Sequence, residues 1–474
     1  METDTDTISS RISPTCPPET QRVLTAAWSH DLTAVKKLLD TPGRASVQDP
    51  TTGETPLHAA IRACGPAPEA EGGEEEEEGL ADLEAAKKVV YELLLWGGIW
   101  NDVDDRNETP GCVARRLGRG ELYNLCVEAG VRAEMLFGLM GGYEELESVD
   151  GEDEEEDEEG EGGVEVVDMD VENPEMVVVG EDGEEAPELV GGEVNGKGGS
   201  VETVPAEGEE GLEAEQEEEE EDVEEPRFKR PKEDTEADVN FEAYLRSKLT
   251  YTDGKLVDDD GNGVMMAWET DIMRRSVNAL LPGKQPGKRI LNIGFGMGII
   301  DTMFAETQPA VHHVIEAHPG VWEHISSPGS KFGSAWEESA PKPGAFKIHK
   351  GKWQEVCQQL VLQGQTYDAI YFDTFGEDYS QLRMFFTELI PSLLDGQGRF
   401  GFFNGLGADR AICYDVYTKV AELHLTDAGL DVDWDVIDVD MSHLAEAGKG
   451  EWEGVKRRYW TLDKYRLPTC TFLG

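Results

Sequence analysis

A short apolar run, Arg289-Ile290-Leu291-Asn292-Ile293, leads straight into Gly294-Phe295-Gly296-Met297-Gly298-Ile299. Glycines at such a junction let the backbone turn tightly and approach a ligand that a side chain would exclude. Dinucleotide enzymes, methyltransferases and other nucleotide binders all share loops of this kind, and a plain strand-to-helix turn has the same look. Further residues narrow the choice. Glu316 closes a second apolar run 22 positions after Gly294, where a carboxylate accepts hydrogen bonds from two ribose hydroxyls. Trp353 and Gln354 follow a third run, where an aromatic ring is placed to stack on a purine. Asp373-Thr374-Phe375 closes a fourth, at the rim beside a reacting group. Four run ends that offer compatible contacts in chain order are hard to obtain by chance.

Such contacts need a sheet to present them. The runs His313–Glu316, Phe346–His349, Tyr367–Asp373 and Gly398–Asn404 alternate with helical stretches, and a helix is expected over Ala411–Ala428. Two late strands are expected around Trp434–Asp440 and Arg458–Leu462. Alternation of this kind implies an α/β, Rossmann-like parallel sheet with helices on both faces and ligands at the strands' C-terminal ends.

The chain ahead of that sheet has a different character. Gly53-Glu54-Thr55-Pro56-Leu57-His58-Ala59-Ala60 matches the turn and first helix of an ankyrin repeat, with Thr as cap and Pro in the first turn. A weaker copy, Asn107-Glu108-Thr109-Pro110-Gly111-Cys112-Val113-Ala114, follows 54 positions later. The spacing exceeds a repeat of about 33 residues, and the acidic stretch Glu71–Gly79 is expected to take up the excess as a loop. Residues 20–140 therefore read as an all-α, ankyrin-like repeat domain, residues 141–238 as an acidic disordered linker, and residues 239–474 as the α/β domain. Within the linker, Pro226-Arg227-Phe228-Lys229-Arg230-Pro231-Lys232 is a basic cluster that suits either a nuclear import signal or a plain linker.

Charge narrows the partners. The 474-residue chain has 100 acidic and 41 basic side chains, a formal net charge of −59. Such a chain is repelled by nucleic acid and by anionic membranes, and favours basic proteins. Its seven cysteines are scattered without metal-ligand spacing, which fits a reducing compartment and no metal site. No apolar run approaches the roughly 18 residues of a membrane span, and the first residues lack the pattern of a signal peptide. A soluble protein, cytoplasmic and nuclear, is the expectation. His312, His313 and His318 read as ordinary surface or hydrogen-bonded side chains, Cys357 and Cys413 lack an activating partner, and Tyr414, Tyr417 and Trp434 read as core.

Met265-Met266-Ala267-Trp268-Glu269-Thr270, Leu291–Gly298, Val314-Ile315-Glu316 and Tyr371-Phe372-Asp373-Thr374 resemble guanidinoacetate N-methyltransferase. The chain is more similar still to the fungal type IV protein arginine N-methyltransferases, which join ankyrin-like repeats to that catalytic domain. The resemblance implies a class I methyltransferase sheet, S-adenosyl-L-methionine as cofactor and methylation of the internal (delta, N5) nitrogen of arginine in a protein substrate. It places cofactor contacts on Tyr244, Met265, Met273, Gly294, Phe295, Gly296, Met297, Gly298, Ile299, Glu316, Ala317, His318, Trp353, Gln354 and Asp373. The guanidino group would lie between Glu269 and Asp373, the implied catalytic pair. A guanidinium keeps its proton at neutral pH. Two carboxylates would bind that cation by bidentate hydrogen bonds, align it with the donor methyl and accept the proton it loses. The expected partner is a protein with an exposed arginine, such as a basic ribosomal protein, met by a monomeric enzyme. Methylation of a small guanidino metabolite, a non-catalytic ankyrin scaffold and hydride transfer on the same fold are the competing readings.

Overall fold

The computed structural model describes residues 6–67, 74–147, 241–252 and 254–474. The acidic segment from 148 onward and the basic cluster at 226–232 lie outside the described residues. Three short strands, β1 (Thr250–Thr252), β2 (Lys255–Val257) and β3 (Gly263–Met266), form a small antiparallel sheet that sequence reading did not separate out.

The main sheet comprises β4 (Arg289–Ile293), β5 (Val311–Glu316), β6 (Phe346–Lys350), β7 (Tyr367–Phe372), β8 (Leu394–Phe402), β9 (Leu430–Asp438) and β10 (Lys464–Phe472). Its order is β6-β5-β4-β7-β8-β10-β9. Strands β4 to β8 pair in parallel, as the alternation predicts, and β4 lies where the order reverses. Ligands bind at that reversal in sheets of this kind. Residue alternation sends Leu291 and Ile293 to the core under helix Trp353–Leu362, whereas Ile290 joins Met273, Ile300 and Phe304 on the opposite face. Both faces are covered, so the strands read as nearly continuous apolar runs.

The end of the sheet departs from expectation. The last strand is Lys464–Phe472 rather than Arg458–Leu462, and it runs antiparallel to both neighbours. No crossover helix precedes it, and a parallel return would need one. Residues 458–462 instead belong to an irregular strap in which Trp460 is fully buried and Thr461 N–H donates to the Ala408 carbonyl at 3.0 Å. Pro468 obscures the true strand, because proline disfavours a ladder position. It is tolerated where β10 registers with β8 only at Cys470–Phe400.

The N-terminal segment is helical, as expected. Thr55 and Thr109 both act as caps, accepting from the N–H groups of His58 and Cys112, and Pro56 and Pro110 begin helices Pro56–Ala63 and Pro110–Arg116. One boundary differs. Glu74–Gly79 is not loop but the first turns of helix Glu74–Leu95, in keeping with the high helix propensity of glutamate. Beneath the turns, Arg11 and Arg62 are buried and ion-paired to Glu54 and Asp104, holding helix Ile8–Arg11 to the array.

These helices share one apolar core with helix Ala411–Asp427 of the sheet region. Ile412, Val416 and Val420 pack among Val113, Ala114 and Val127. Gly130, inside helix Gly120–Glu147, sits at this seam, where an added Cβ would lie 2.6 Å from Val416 and 3.0 Å from the Trp100 ring. Helix propensity alone would make Gly130→Ala stabilising by about 1 kcal/mol. Overpacking predicts the reverse sign, a loss of about 1–3 kcal/mol, read as a lower urea midpoint.

Candidate active site

The loop after β4 needs its glycines. Gly294, Gly296 and Gly298 have φ of +90°, +55° and +68°, a region that side-chain-bearing residues rarely enter. At Gly294 a Cβ would stand 1.8 Å from the Asp373 carbonyl oxygen, and at Gly296 it would stand 2.6 Å from the Met265 methyl. The loop is also tied from below. Asn292 donates its amide to the Gly294 carbonyl and to Asp301, both at 2.8 Å, and Asp301 meets His312 at 3.0 Å. All three side chains are buried, so His312 serves in a hydrogen-bonded bracket, and His313 is likewise bonded to Tyr367 and to the Gly344 carbonyl.

Glu316 lies at the end of β5 as expected, 6% exposed. It accepts N–H groups from Phe295 at 2.9 Å, Gly296 at 3.4 Å and His318 at 2.7 Å. Its burial pushes the carboxyl upward from its usual range, against those three donors. A carboxylate has about four acceptor sites, which leaves capacity for hydroxyls of a ligand.

A cavity of about 520 Å³, counting the solvent at its mouth, opens over this loop. Of the anticipated cofactor residues, Tyr244, Met265, Gly294, Gly296, Glu316, Ala317, Trp353 and Asp373 line it. Thr374 and Phe375, read at the rim with Asp373, line it too, as do Phe241, Val264, Ile293, Ile315 and Gly351, which sequence reading did not assign to the site. The others stand back. Met273 is wholly buried in the core behind the loop, and Phe295 packs edge-on against Phe332. Met297, Gly298 and Ile299 turn the chain into helix Ile299–Ala305, with Met297 N–H donating to the Met265 sulfur at 3.2 Å. His318 caps helix Pro319–Ile325 and bonds the Tyr244 carbonyl, so it supports a lining residue rather than lining the space itself. Trp353 is 3% exposed, with its ring edge-on to Phe372 and Phe385 and its N–H on Glu377. It forms wall, not an open stacking face. Gln354 lies beyond it, in the adjoining groove.

That groove is wide, about 2820 Å³ including the solvent at its mouth, and shares Phe241, Val264, Asp373, Thr374 and Phe375 with the smaller cavity. Glu269 and Asp373 both line it. Glu269 ends the turn Ala267–Glu269 at the head of helix Thr270–Leu280 and is 4% exposed, which excludes a surface charge. Nor is Asp373 a helix cap, since Asp378 caps the next helix, Tyr379–Met384. Asp373 Oδ2 is buried and has no hydrogen-bond partner among the described residues. Burial drives both carboxyls well above the usual range, and the negative charge of Asp373 adds to the effect on Glu269. The hydroxyl of Tyr459 donates to Glu269 Oε1 and works in the opposite direction. Tyr459 was invisible in the sequence, 190 positions away with no motif to mark it. Of the supposed core aromatics, Tyr414 is buried, whereas Tyr417 lines the groove.

A glycine-cradled cavity at a sheet reversal, opening past an aspartate onto a second, acidic site, defines a Rossmann-like methyltransferase. The family model for guanidinoacetate N-methyltransferase matches residues 242–404. The chain is 64% identical over 471 residues to the protein arginine N-methyltransferase 2 of Neurospora crassa, covering 99% of this chain and 100% of that one. It is 58% identical to the protein of the same name in Gibberella zeae, over 97% and 93% of the two chains, and 43% identical to that of Emericella nidulans, over 96% and 97%. The chain belongs to the protein arginine N-methyltransferase 2 family, and its cofactor is S-adenosyl-L-methionine. The residues present suit that molecule: a glycine cradle that a Cβ would fill, and a carboxylate with acceptor sites to spare.

Two outcomes follow from this geometry. Gly294→Ala should lower affinity for S-adenosylhomocysteine at least roughly tenfold by calorimetry, because its Cβ would part the ends of β4 and β7. The second concerns pH. A carboxyl whose folded pKa is raised contributes stability at low pH that is lost as pH rises through the folded value. Ligand-free Glu269→Gln should therefore match the parent only near and below the ordinary carboxyl value of 4.5 and gain on it as pH rises toward about 8, exceeding it by about 1–3 kcal/mol in mildly alkaline buffer, measured by denaturant unfolding.

Proposed function

We propose that the protein transfers a methyl group from S-adenosyl-L-methionine to the delta (N5) guanidino nitrogen of an arginine residue in a protein substrate. The observation that carries this reading is the pair Glu269 and Asp373, two acidic groups facing one groove whose lining cations, Lys352 and Arg457, pair elsewhere, with Glu242 and Asp409. Like charges this close and this dry resist joint ionisation. A guanidinium entering between them reverses the balance, so both ionise and bind it through charge-assisted hydrogen bonds. The cofactor supplies an electrophilic methyl on its sulfonium. Glu269 and Asp373 fix the plane of the guanidino group and hold it at the mouth of the smaller cavity, and one of them accepts the proton released as nitrogen is methylated.

The width of the groove favours a polypeptide over a free metabolite, and the relatives carry protein arginine in their name. The choice of the internal nitrogen follows the resemblance to the fungal type IV enzymes. We read the N-terminal helices as ankyrin-like repeats, the substrate as a basic protein such as a ribosomal one, and the location as cytoplasmic and nuclear. Methylation of guanidinoacetate is the second reading, favoured by the family model over residues 242–404.

The test supplies labelled donor with either protein extract or guanidinoacetate, then hydrolyses the labelled protein in strong base, which cleaves off the guanidino carbon with its terminal nitrogens and leaves ornithine. Label retained on ornithine nitrogen marks N5 methylation. Label lost with the terminal nitrogens would refute that position, and label confined to guanidinoacetate would refute the protein substrate. Glu269→Gln should cut turnover at least roughly hundredfold while cofactor affinity stays within about threefold, because only the substrate cation is left unmatched.

A further inference from the structure

Sequence reading assigned Glu269 a role but left open what holds it in place. Its turn, Ala267–Glu269, is brought to the groove by β3 from outside the main sheet, whereas Asp373 arrives on the end of β7. A third segment meets them. Residues 439–463 form the strap between β9 and β10, and this strap is fastened on both sides of the groove. Lys456 N–H donates to the Gly261 carbonyl at 2.7 Å in the β2–β3 turn, and Thr461 N–H to the Ala408 carbonyl at 3.0 Å. Arg457 pairs with Asp409 at 3.0 Å across the same wall. Between these fastenings stands Tyr459.

The ring of Tyr459 is fixed by aromatic neighbours. It lies edge-on to Trp452 at 4.9 Å and tilted against Trp268 at 6.1 Å, and Trp452 is itself anchored by its N–H on the Leu444 carbonyl at 2.9 Å. Gly263 passes beneath it, where an added Cβ would come within 3.3 Å of the ring. This packing aims one group, the hydroxyl, at Glu269 Oε1. Resting on the proposed function, we propose that Tyr459 is the positioning residue of the substrate site: its donated hydrogen bond occupies one oxygen of Glu269 and turns the rest of that carboxylate toward Asp373 and the incoming guanidinium.

The role extends to the proton. The groups facing Glu269 are Asp373 and Tyr371 from the β7 side, Tyr465 from β10, Tyr459 from the strap and the Met266 backbone N–H. Burial and the Asp373 charge favour the neutral acid, whereas Tyr459 and Met266 favour the anion. Tyr459 remains a donor throughout, since burial and the Glu269 charge raise its own pKa well above the ordinary tyrosine value. Without its hydroxyl, Glu269 would hold its proton to higher pH and its carboxylate would lose its fixed rotamer.

The test is Tyr459→Phe, which keeps the ring and its packing, made both alone and in the Glu269→Gln background. Calorimetric binding of S-adenosylhomocysteine within about threefold of the parent confirms an intact fold. The expected result with an arginine peptide is a kcat/KM lower by roughly tenfold to a hundredfold, with its acid limb moved up by roughly one pH unit. The ligand-free protein gives a reading that needs no substrate. Tyr459→Phe should lose more stability than the parent as pH rises through neutrality, and should lose no more than Glu269→Gln alone when the two are combined. A parent enzyme inert toward arginine peptides would refute the proposed function, and the ligand-free curves would still decide the link between Tyr459 and Glu269. Ligand-free curves that superimpose on the parent, or an effect that persists in full with Gln at 269, would overturn the positioning role.

Discussion

Two carboxyl groups set deep in the wall of one groove set the terms for this molecule. Left alone they are a liability, because each is costly to ionise where it is buried and the charge of one opposes that of the other. A fold tolerates such a pair only where rigid elements prevent the side chains from rotating out to water. Three separate stretches supply that rigidity here. The turn before helix Thr270–Leu280 delivers Glu269, the end of β7 delivers Asp373, and the strap brings Tyr459 up behind Glu269. The electrostatic strain between two such groups is the quantity that a bound cation would relieve, so affinity for a cation and instability without one would share one origin.

Asp373 also joins the two halves of the site. Its backbone N–H bonds the Ile293 carbonyl at 2.9 Å, and its carbonyl leaves no room for a side chain at Gly294. Its carboxyl faces the groove. One residue therefore closes the glycine cradle through its main chain and lines the groove through its side chain. Any shift of β7 against β4 would disturb both at once. That economy explains why the cavity and the groove meet at Asp373, Thr374 and Phe375 rather than through a separate channel.

Much of this was readable in the sequence because it rests on local rules. Strand ends, glycine turns and Thr-Pro caps are decided within a few residues, and the parallel strands, the loop at 294–298 and both caps stand where spacing placed them. Spacing also put Glu316 at the end of its strand, while its bonds to the glycine loop were not foreseen. What could not be read depends on contacts between distant segments. The bond from Tyr459 to Glu269 spans 190 positions, and nothing in Arg458-Tyr459-Trp460 distinguishes a groove wall from a strand. Met273 and Phe295 stand back from the cavity for a related reason. Phe295 lies within the loop and Met273 on helix Thr270–Leu280 ahead of it, and both side chains pack into the core. Proximity in the chain selected the right region, and side-chain direction selected the lining.

The N-terminal helices alter how the catalytic region should be understood. The loop Gly405–Asp409 lines the groove, and the helix that follows it, Ala411–Asp427, has one side in the core of the sheet region and the other in the core of the helical array. Tyr123 donates to Asp415 at 2.5 Å, and Arg410 reaches Asn107 at 2.8 Å, so polar contacts fix the register that the apolar seam leaves free to slide. Gly111 and Gly130 allow the close approach, because a side chain at either would meet Ile412 or Val416. A loosely tethered platform would need none of this fitting. Burial of Ile412, Val416 and Val420 means that removing the array would expose a helix face contiguous with the groove wall. The helical segment is thus part of the frame that shapes the groove.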